Sequence, residues 1–147
     1  MSCGDEMKKL FVLLSLIPLL ALAEDERAIP LDMNANEYGY FVSFSIPEKE
    51  LVFLIEEAER HQIPVYLNGL VHDDMQATVK AMLYLVNKYN INGVLIDPVR
   101  FSYYQISAVP ALVKKCGHQF DVIYGDINLK QGLSMIEREG DCKNERK

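Results

Sequence analysis

The amino-acid sequence predicts one α/β domain, a three-layer sandwich in which a central mixed β-sheet is flanked by helices. Short β-prone runs alternate with amphipathic segments, a pattern typical of parallel strands joined by right-handed helical crossovers. A Val109-Pro110 step then leads into a hairpin and a last helix. With 147 residues, of which 50% are apolar and 24% charged, the chain suits a single domain with a substantial core.

The first 23 residues are predicted to be a secretory signal peptide. Two lysines precede an apolar run over residues 10–20, and a small-x-small pattern ends at Ala23, where we expect cleavage. Acidic residues before Met7 are unusual in such a peptide, so Met7 is a candidate for the true start. The run is shorter than the ~20 residues that span a bilayer, so no membrane attachment is expected after cleavage.

Residues 24–37 show no hydrophobic period and are predicted to form a flexible linker before a domain at residues 38–140. Alternation from Tyr38 predicts a buried first strand. Ser45 as N-cap and Glu48 three residues later predict a capping box at the start of a helix. The expected inward residues of this helix are Leu51, Leu54, Ile55 and Ala58.

A second strand is predicted over residues 63–67, closed by Asn68-Gly69. Asp73 with Gln76 predicts the start of a second helix that runs to about Tyr89. The run 94–96 before an Asp-Pro pair predicts a third strand. The apolar residues expected on the inward face of the second helix are Met75, Val79, Met82, Leu83 and Val86.

Pro110 is predicted to open the fourth strand, because proline cannot donate a ladder hydrogen bond and suits the first position. The Val109-Pro110 bond is a candidate for the cis isomer. Residues 111–115 and 120–124 flank a tight turn and predict a hairpin. A last helix is expected from Leu129 to about Glu139, followed by a charged tail over residues 141–147.

This order of elements resembles that of thioredoxin-like proteins. In thioredoxins the first of these strands runs into a Cys-Gly-Pro-Cys motif at the start of a helix, and here the matching residues are Ser45, Ile46, Pro47 and Glu48. The segment 104–111 is similar to the one that carries the cis-proline of that family. The resemblance therefore implies a thioredoxin-like fold without the two motif cysteines.

Four segments resemble, more narrowly, the TrbC family of pilus-assembly proteins from F-type conjugative type IV secretion systems. They are residues 41–47, 64–70, 93–98 and 109–113, in the same order as in the family, and the resemblance covers about residues 40–136. It implies a periplasmic protein of conjugative pilus assembly. The partners it implies are other periplasmic proteins of the conjugation apparatus, such as TraW.

The residues at the motif do not support catalysis. Disulfide exchange requires a thiolate, usually at a helix N-terminus, and neither Ser45 nor Glu48 carries sulfur. The three histidines, His61, His72 and His118, are far apart and indicate no metal site. We therefore expect no enzyme activity, no cofactor and no metal, and the net charge of −6 opposes binding to nucleic acid.

Two functions remain open at this stage. In the favoured one, a redox-inactive scaffold binds an extended partner segment in a shallow groove. In the alternative, the protein is a periplasmic thiol-disulfide oxidoreductase or isomerase that uses Cys116 or Cys142. The residues predicted to form the groove are Ser45, Ile46, Pro47, Glu48, Val109 and Pro110.

Cys116 and Cys142 are predicted to form a structural disulfide, since they are the two cysteines left in a chain bound for an oxidising compartment. Cys116 ends a hairpin strand. A helix of ~11 residues at ~1.5 Å each spans about the length of a five-residue strand, so it returns Cys142 to the level of Cys116. Closing this loop should contribute roughly 3 kcal/mol. The alternative is two free thiols, one of them in a mobile tail.

Overall fold

The structure is a computed structural model that describes residues 31–69, 71–72 and 74–142. The predicted signal peptide, the first part of the predicted linker and the tail beyond Cys142 lie outside these residues. The elements are, in order, β1 (Glu37–Val42), α1 (Glu48–Arg60), β2 (Val65–Leu67), α2 (Met75–Tyr89), β3 (Val94–Ile96), α3 (Pro98–Tyr103), β4 (Ala111–Cys116), β5 (Gln119–Tyr124) and α4 (Leu129–Glu139).

The five strands form one mixed sheet in the order β3-β2-β1-β4-β5. The first three strands are parallel, and β4 and β5 are antiparallel to their neighbours. The crossovers through α1 and α2 both step outward in the same direction, so right-handed connections place both helices on one face. The chain has the predicted thioredoxin-like α/β fold.

The larger hydrophobic core lies between the sheet and α1, α2 and α4. Val42, Leu67 and Leu112 face it from the sheet, and each is at most 1% exposed. The predicted inward residues of α1 are all buried there. In α4, Ile136 is buried and Leu133 packs against this core.

A smaller, aromatic core covers the opposite face of the sheet. The ring of Phe41 lies 5.3 Å from that of Tyr66, 4.9 Å from that of Phe101 and 5.7 Å from that of Tyr104. Such tilted and edge-on pairs add to the stability gained by burial. Because α3 supplies Phe101 and is followed by Tyr104, this core holds the segment that leads to Pro110.

The short helix α3 was not predicted from the sequence. The Asp97 carboxylate accepts a hydrogen bond from the amide of Arg100 at 2.9 Å, and Pro98 occupies the first turn. An Asp cap followed by proline is a helix-start signal, so the same pair that closes β3 also begins α3.

The predicted inward face of α2 was wrong at three of its five residues. The buried residues of this helix are Thr78 and Leu85, whereas Met75, Val79 and Leu83 are 41–53% exposed. The Thr78 hydroxyl accepts from the amide of Val71 and donates to the carbonyl of Asp74, which fixes the rotation of the first turn. Met82 and Val86 reach only the margin of the core.

Both predicted capping boxes were wrong. The N-cap of α1 is Pro47, with no side-chain cap, and Glu48 is its first residue. The cap of α2 is Asp74, whose carboxylate accepts from the amides of Gln76 and Ala77. Asp73, the cap expected from the sequence, lies outside the described residues.

The last part of the predicted linker is held against the sheet. Strand β1 begins at Glu37, one residue before the predicted domain boundary, and the ammonium group of Lys115 donates to the carbonyls of Asp32, Met33 and Ala35 at 2.6–3.1 Å. Residues 31–36 are therefore fixed to β4. In the part of the chain that the structure describes, no helix has the length and hydrophobicity needed to cross a bilayer.

Candidate functional site

The two segments of the predicted groove lie at the same end of neighbouring strands. Phe41, near the end of β1, pairs with Ala111, the first residue of β4. The chain leaving β1 therefore passes beside the chain entering β4. The Val109–Pro110 peptide bond is cis, as predicted. Ile46 and Val109 pack on the same core, so both segments share one support.

At the motif, Ser45 is bonded to the neighbouring Ser43. Ser45 is exposed, and its hydroxyl lies 2.5 Å from that of Ser43. The Ser45 amide also bonds to the Ser43 hydroxyl at 3.2 Å. Among the described residues no imidazole or carboxylate is hydrogen-bonded to Ser45 to act as its base. This serine stabilises the turn between β1 and α1.

Glu48 is a paired carboxylate on the margin of the site. Its Oε1 atom accepts from the ammonium group of Lys88 at 2.8 Å and from the hydroxyl of Tyr89 at 2.6 Å. The bond from Lys88, followed by that from Tyr89, lowers the pKa of Glu48. Lys88 also donates to the hydroxyl of Tyr84 at 2.6 Å. The group therefore joins the start of α1 to the last turns of α2.

The Lys88→Met variant is expected to raise the pKa of Glu48 toward its ordinary value, because the strongest contact of the ionised carboxylate is then lost. In the wild-type chain the contribution of this pair is present above the unfolded pKa of Glu48 and is lost as the pH falls through the lower folded pKa. An NMR titration of the Glu48 carboxyl carbon measures the change. An unchanged titration midpoint in Lys88→Met would contradict the assignment, and Lys80→Met, at an exposed position of the same helix, is the control.

A small cavity opens beside the motif, between α1 and α2. Its volume is about 220 Å³, below the ~300–1,000 Å³ of most small-molecule sites, so it has room for a single side chain. Sequence reasoning missed this cavity, because it depends on how two helices pack and has no local pattern. It is lined by Phe44, Ile46, Glu48, Leu51, Ala81, Tyr84 and Leu85.

The backbone just before the cis-proline is open for bonding. Within the described part of the chain, the amide and carbonyl of Val109 make no hydrogen bond, whereas the carbonyl of Pro110 accepts from the amide of Gly125 at 2.9 Å. Val109 is partly buried and packs on both cores. Its unbonded main-chain groups thus belong to a residue whose side chain is held by both cores.

Tyr104 anchors the segment that leads to Val109. Its hydroxyl donates to the Glu37 carboxylate, and burial, followed by this hydrogen bond, raises the pKa of Tyr104 above its ordinary value. The phenol therefore stays neutral and remains a donor at physiological pH. The same carboxylate binds the guanidinium group of Arg100 at 3.2 Å.

The two cysteines lie at the other end of β4 from the groove. Cys116 and Cys142 are joined by a disulfide, with their Cα atoms 5.6 Å apart. Cys116 ends the six-residue strand that Ala111 begins, so it lies roughly 17 Å from the start of β4. Cys142 has no exposed surface. This sulfur pair and the groove are therefore separate sites.

The histidines do not come together. Nε2 of His61 lies 3.5 Å from the carboxylate of Glu57, and His72 and His118 are exposed on other elements. No cluster of His, Cys, Asp and Glu side chains in residues 31–69, 71–72 and 74–142 could hold a metal ion.

The chain is similar in sequence to proteins of conjugative transfer. The model of a family described as type-F conjugative transfer system pilin assembly protein matches residues 40–136. The chain is 43% identical over 104 residues to periplasmic protein TrbC of Escherichia coli, covering 71% of this chain and 49% of that protein. It thus spans about half the length of the curated relative it matches.

Solved structures that align with the chain include StoA from Bacillus subtilis, at 13% identity and a TM-score of 0.49, covering 71% of this chain and 84% of StoA. Another is a secreted Mycobacterium tuberculosis disulfide oxidoreductase homologous to E. coli DsbE. It is 20% identical, with a TM-score of 0.42, and the alignment covers 61% of this chain and 69% of that one.

Proposed function

Because the chain belongs to the family of type-F conjugative transfer system pilin assembly proteins, we propose that it is a periplasmic factor that acts in pilus assembly by binding other proteins of the conjugation apparatus. Its thioredoxin-like scaffold serves as a binding module without redox activity. The observation that carries the proposal is the site beside the cis-proline, which has an open backbone at Val109 but no sulfur at Ser45 or Glu48.

The groove binds an extended segment of the partner by strand addition. The amide and carbonyl of Val109 supply the main-chain hydrogen bonds, which give affinity without regard to the partner's sequence. A side chain of the segment then enters the cavity beside Ile46, where apolar walls favour an aliphatic or aromatic group. A periplasmic partner of the TraW type, which the family resemblance implies, is the first to test.

The Val109→Asp variant is expected to weaken partner binding at least about tenfold, because a carboxylate at the centre of the groove is desolvated without a counter-charge. Pull-down of envelope proteins from a conjugating donor, together with a count of conjugative pili, measures the effect. Val99→Asp is the matched control, since Val99 is 58% exposed on α3. If the folded Val109→Asp protein still binds and supports pili, the contact surface lies elsewhere.

The disulfide keeps a second candidate function open, that of a thiol-disulfide oxidoreductase. Exchange requires a thiolate to reach a sulfur atom, and Cys142 is fully buried against Lys114 and Gln119. The bridge is therefore better suited to tie the end of α4 to β4 than to react.

We expect no turnover in an insulin-reduction assay with the mature protein. Nonreducing mass spectrometry of periplasmic protein, alkylated during isolation, should find Cys116 and Cys142 unmodified and bridged. Turnover above a reagent blank that Cys116→Ser abolishes would establish the oxidoreductase instead. Two alkylated cysteines in the folded protein would show that the bridge is not made in the cell.

A further inference from the structure

Helix α2 carries an apolar stripe that the core does not cover. Met75, Val79 and Leu83 follow each other at intervals of four residues and are 44%, 41% and 53% exposed. One flank of α2 faces α1, because Lys88 of α2 bonds there to Glu48 of α1. At 3.6 residues per turn the stripe lies on the opposite flank, which faces outward beyond the sheet.

The strand beneath this flank is an edge of the sheet. Among the described residues β3 pairs on one side only, with β2. The amide of Asp97, just after β3, donates to the carbonyl of Leu67. Because alternate residues of a strand direct their main-chain groups to opposite sides, those of Val94 and Ile96 face away from β2. The side chains of the same two residues pack on the α2 side of the sheet.

We propose that this edge and the apolar flank of α2 bind a second copy of the chain, in a two-fold dimer with antiparallel pairing of the two β3 strands. Val94 of each copy then lies opposite Ile96 of the other, and each such pair exchanges two main-chain hydrogen bonds. A two-fold interface requires a self-complementary surface, and a short strand centred on Leu95 meets that requirement. This contact is independent of the groove and of the proposed function.

The helices also fit this arrangement. Since α2 connects β2 to β3, it packs over these two strands, and neighbouring strands are ~4.8 Å apart. Two such helices across a β3–β3 pair would lie about two strand spacings apart, or ~9.6 Å, within the ~8–10 Å of packed helices. The stripes of the two copies would then cover each other. Leu83, midway along α2, would lie close to the two-fold axis.

The charges permit the contact although the chain carries a net charge of −6. Helix α2 has no acidic residue. One of its two lysines, Lys88, is paired with Glu48 on the flank toward α1. The other, Lys80, is exposed and lies about 60° around the helix from Leu83, at the rim of the stripe. Its long side chain can keep the ammonium group in solvent, so the stripes themselves bring only apolar side chains together.

Sedimentation equilibrium of the mature protein tests the proposal. We expect a reversible dimer, and a dissociation constant raised at least about tenfold by Leu83→Lys, which places a charge between the stripes. Val94→Pro, which removes only an outward amide, should have a similar effect, because proline is tolerated on an edge strand. Met135→Lys, at an exposed methionine of α4, which contacts β4 and not the β3 edge, should leave the constant unchanged, and circular dichroism should show that all variants are folded.

A cysteine substitution tests the geometry. Leu83→Cys should form a covalent dimer under mild oxidation, whereas Met135→Cys, on α4, should not. A wild-type protein that stays monomeric at every soluble concentration would overturn the proposal. So would a dimer that both Leu83→Lys and Val94→Pro leave intact. If the wild-type protein is monomeric and binds a different envelope protein that Leu83→Lys no longer binds, the surface is the binding site of that partner and the proposal is wrong.

Discussion

Replacing Arg100 with methionine is expected to lower the free energy of unfolding by roughly 3–5 kcal/mol, because the buried Asp97 and the partly buried Glu37 carboxylates lose their cationic partner. The Arg100 side chain is 3% exposed and forms ion pairs with Asp97 and Glu37. Its guanidinium carbon also lies 4.9 Å from the centre of the Tyr66 ring. Urea unfolding near neutral pH, followed by circular dichroism, measures the loss.

The charge itself, and not the volume of the side chain, should account for most of this loss. Methionine fills much of the same space, so a triple variant with Asp97→Asn and Glu37→Gln added should recover part of the stability. Asparagine also keeps the cap of α3. Arg60→Met, in the exposed last turn of α1, is the control and should change little. A loss below about 1 kcal/mol for Arg100→Met would contradict this account.

Lys115→Met is expected to destabilise the domain by roughly 2–4 kcal/mol and to release residues 31–36. The Lys115 side chain has no exposed surface, and its ammonium group makes three hydrogen bonds to carbonyls. Hydrogen bonds to a charged group contribute about 1.5–3 kcal/mol, and part of the loss is recovered when the exposed carbonyls bind water. Urea unfolding measures the stability.

Amide exchange provides the second measurement for Lys115→Met. Gly117 donates its amide to the side chain of Asn36, so exchange at Gly117 should speed up when residues 31–36 detach. Lys130→Met, at an exposed position of α4, is the matched control and should change neither quantity. Unchanged exchange at Gly117 would show that the segment is held by its other contacts.

The elements that the sequence predicts well are those whose signals are local. The bounds of β3 and α4 match the prediction because an Asp-Pro pair ends the first and Asn128 caps the second, accepting from the amides of Lys130 and Gln131. The cis isomer at Pro110, by contrast, was expected because segment 104–111 resembles the cis-proline segment of thioredoxin-like proteins. Short-range steric and capping rules are sufficient for the bounds of β3 and α4.

The failures have long-range causes. Helix α2 is apolar over more than one face, so its period alone does not choose which face is buried. Thr78 sets which face is buried, because its hydroxyl accepts from the Val71 amide and donates to the Asp74 carbonyl in the preceding turn. Glu48 was expected to cap α1, but Lys88, 40 residues later in the chain, offers it an ammonium group. Such partners cannot be read from a local pattern.

For the candidate site, the sequence predicts which residues are present but not what surrounds them. The turn at Ser45 and the step at Pro110 follow from a recognisable order of strands and helices. The cavity beside Ile46 depends on the packing of α1 on α2, and no short pattern encodes it. The open main chain of Val109 depends on which neighbouring groups are already bonded.

Adjacent residues of β4 hold the two ends of the described domain. Lys115 binds residues 32–35 on one face of the sheet, and Cys116 binds Cys142 on the other. Residues 32 and 142 therefore both lie beside the last residues of β4, roughly 17 Å from the Pro110 end of the strand. A short peptide could join them, so a circularly permuted chain with new termini at Gly69 should fold. Fluorescent labels attached at Asp32 or Asp141, both exposed, would lie away from the predicted groove.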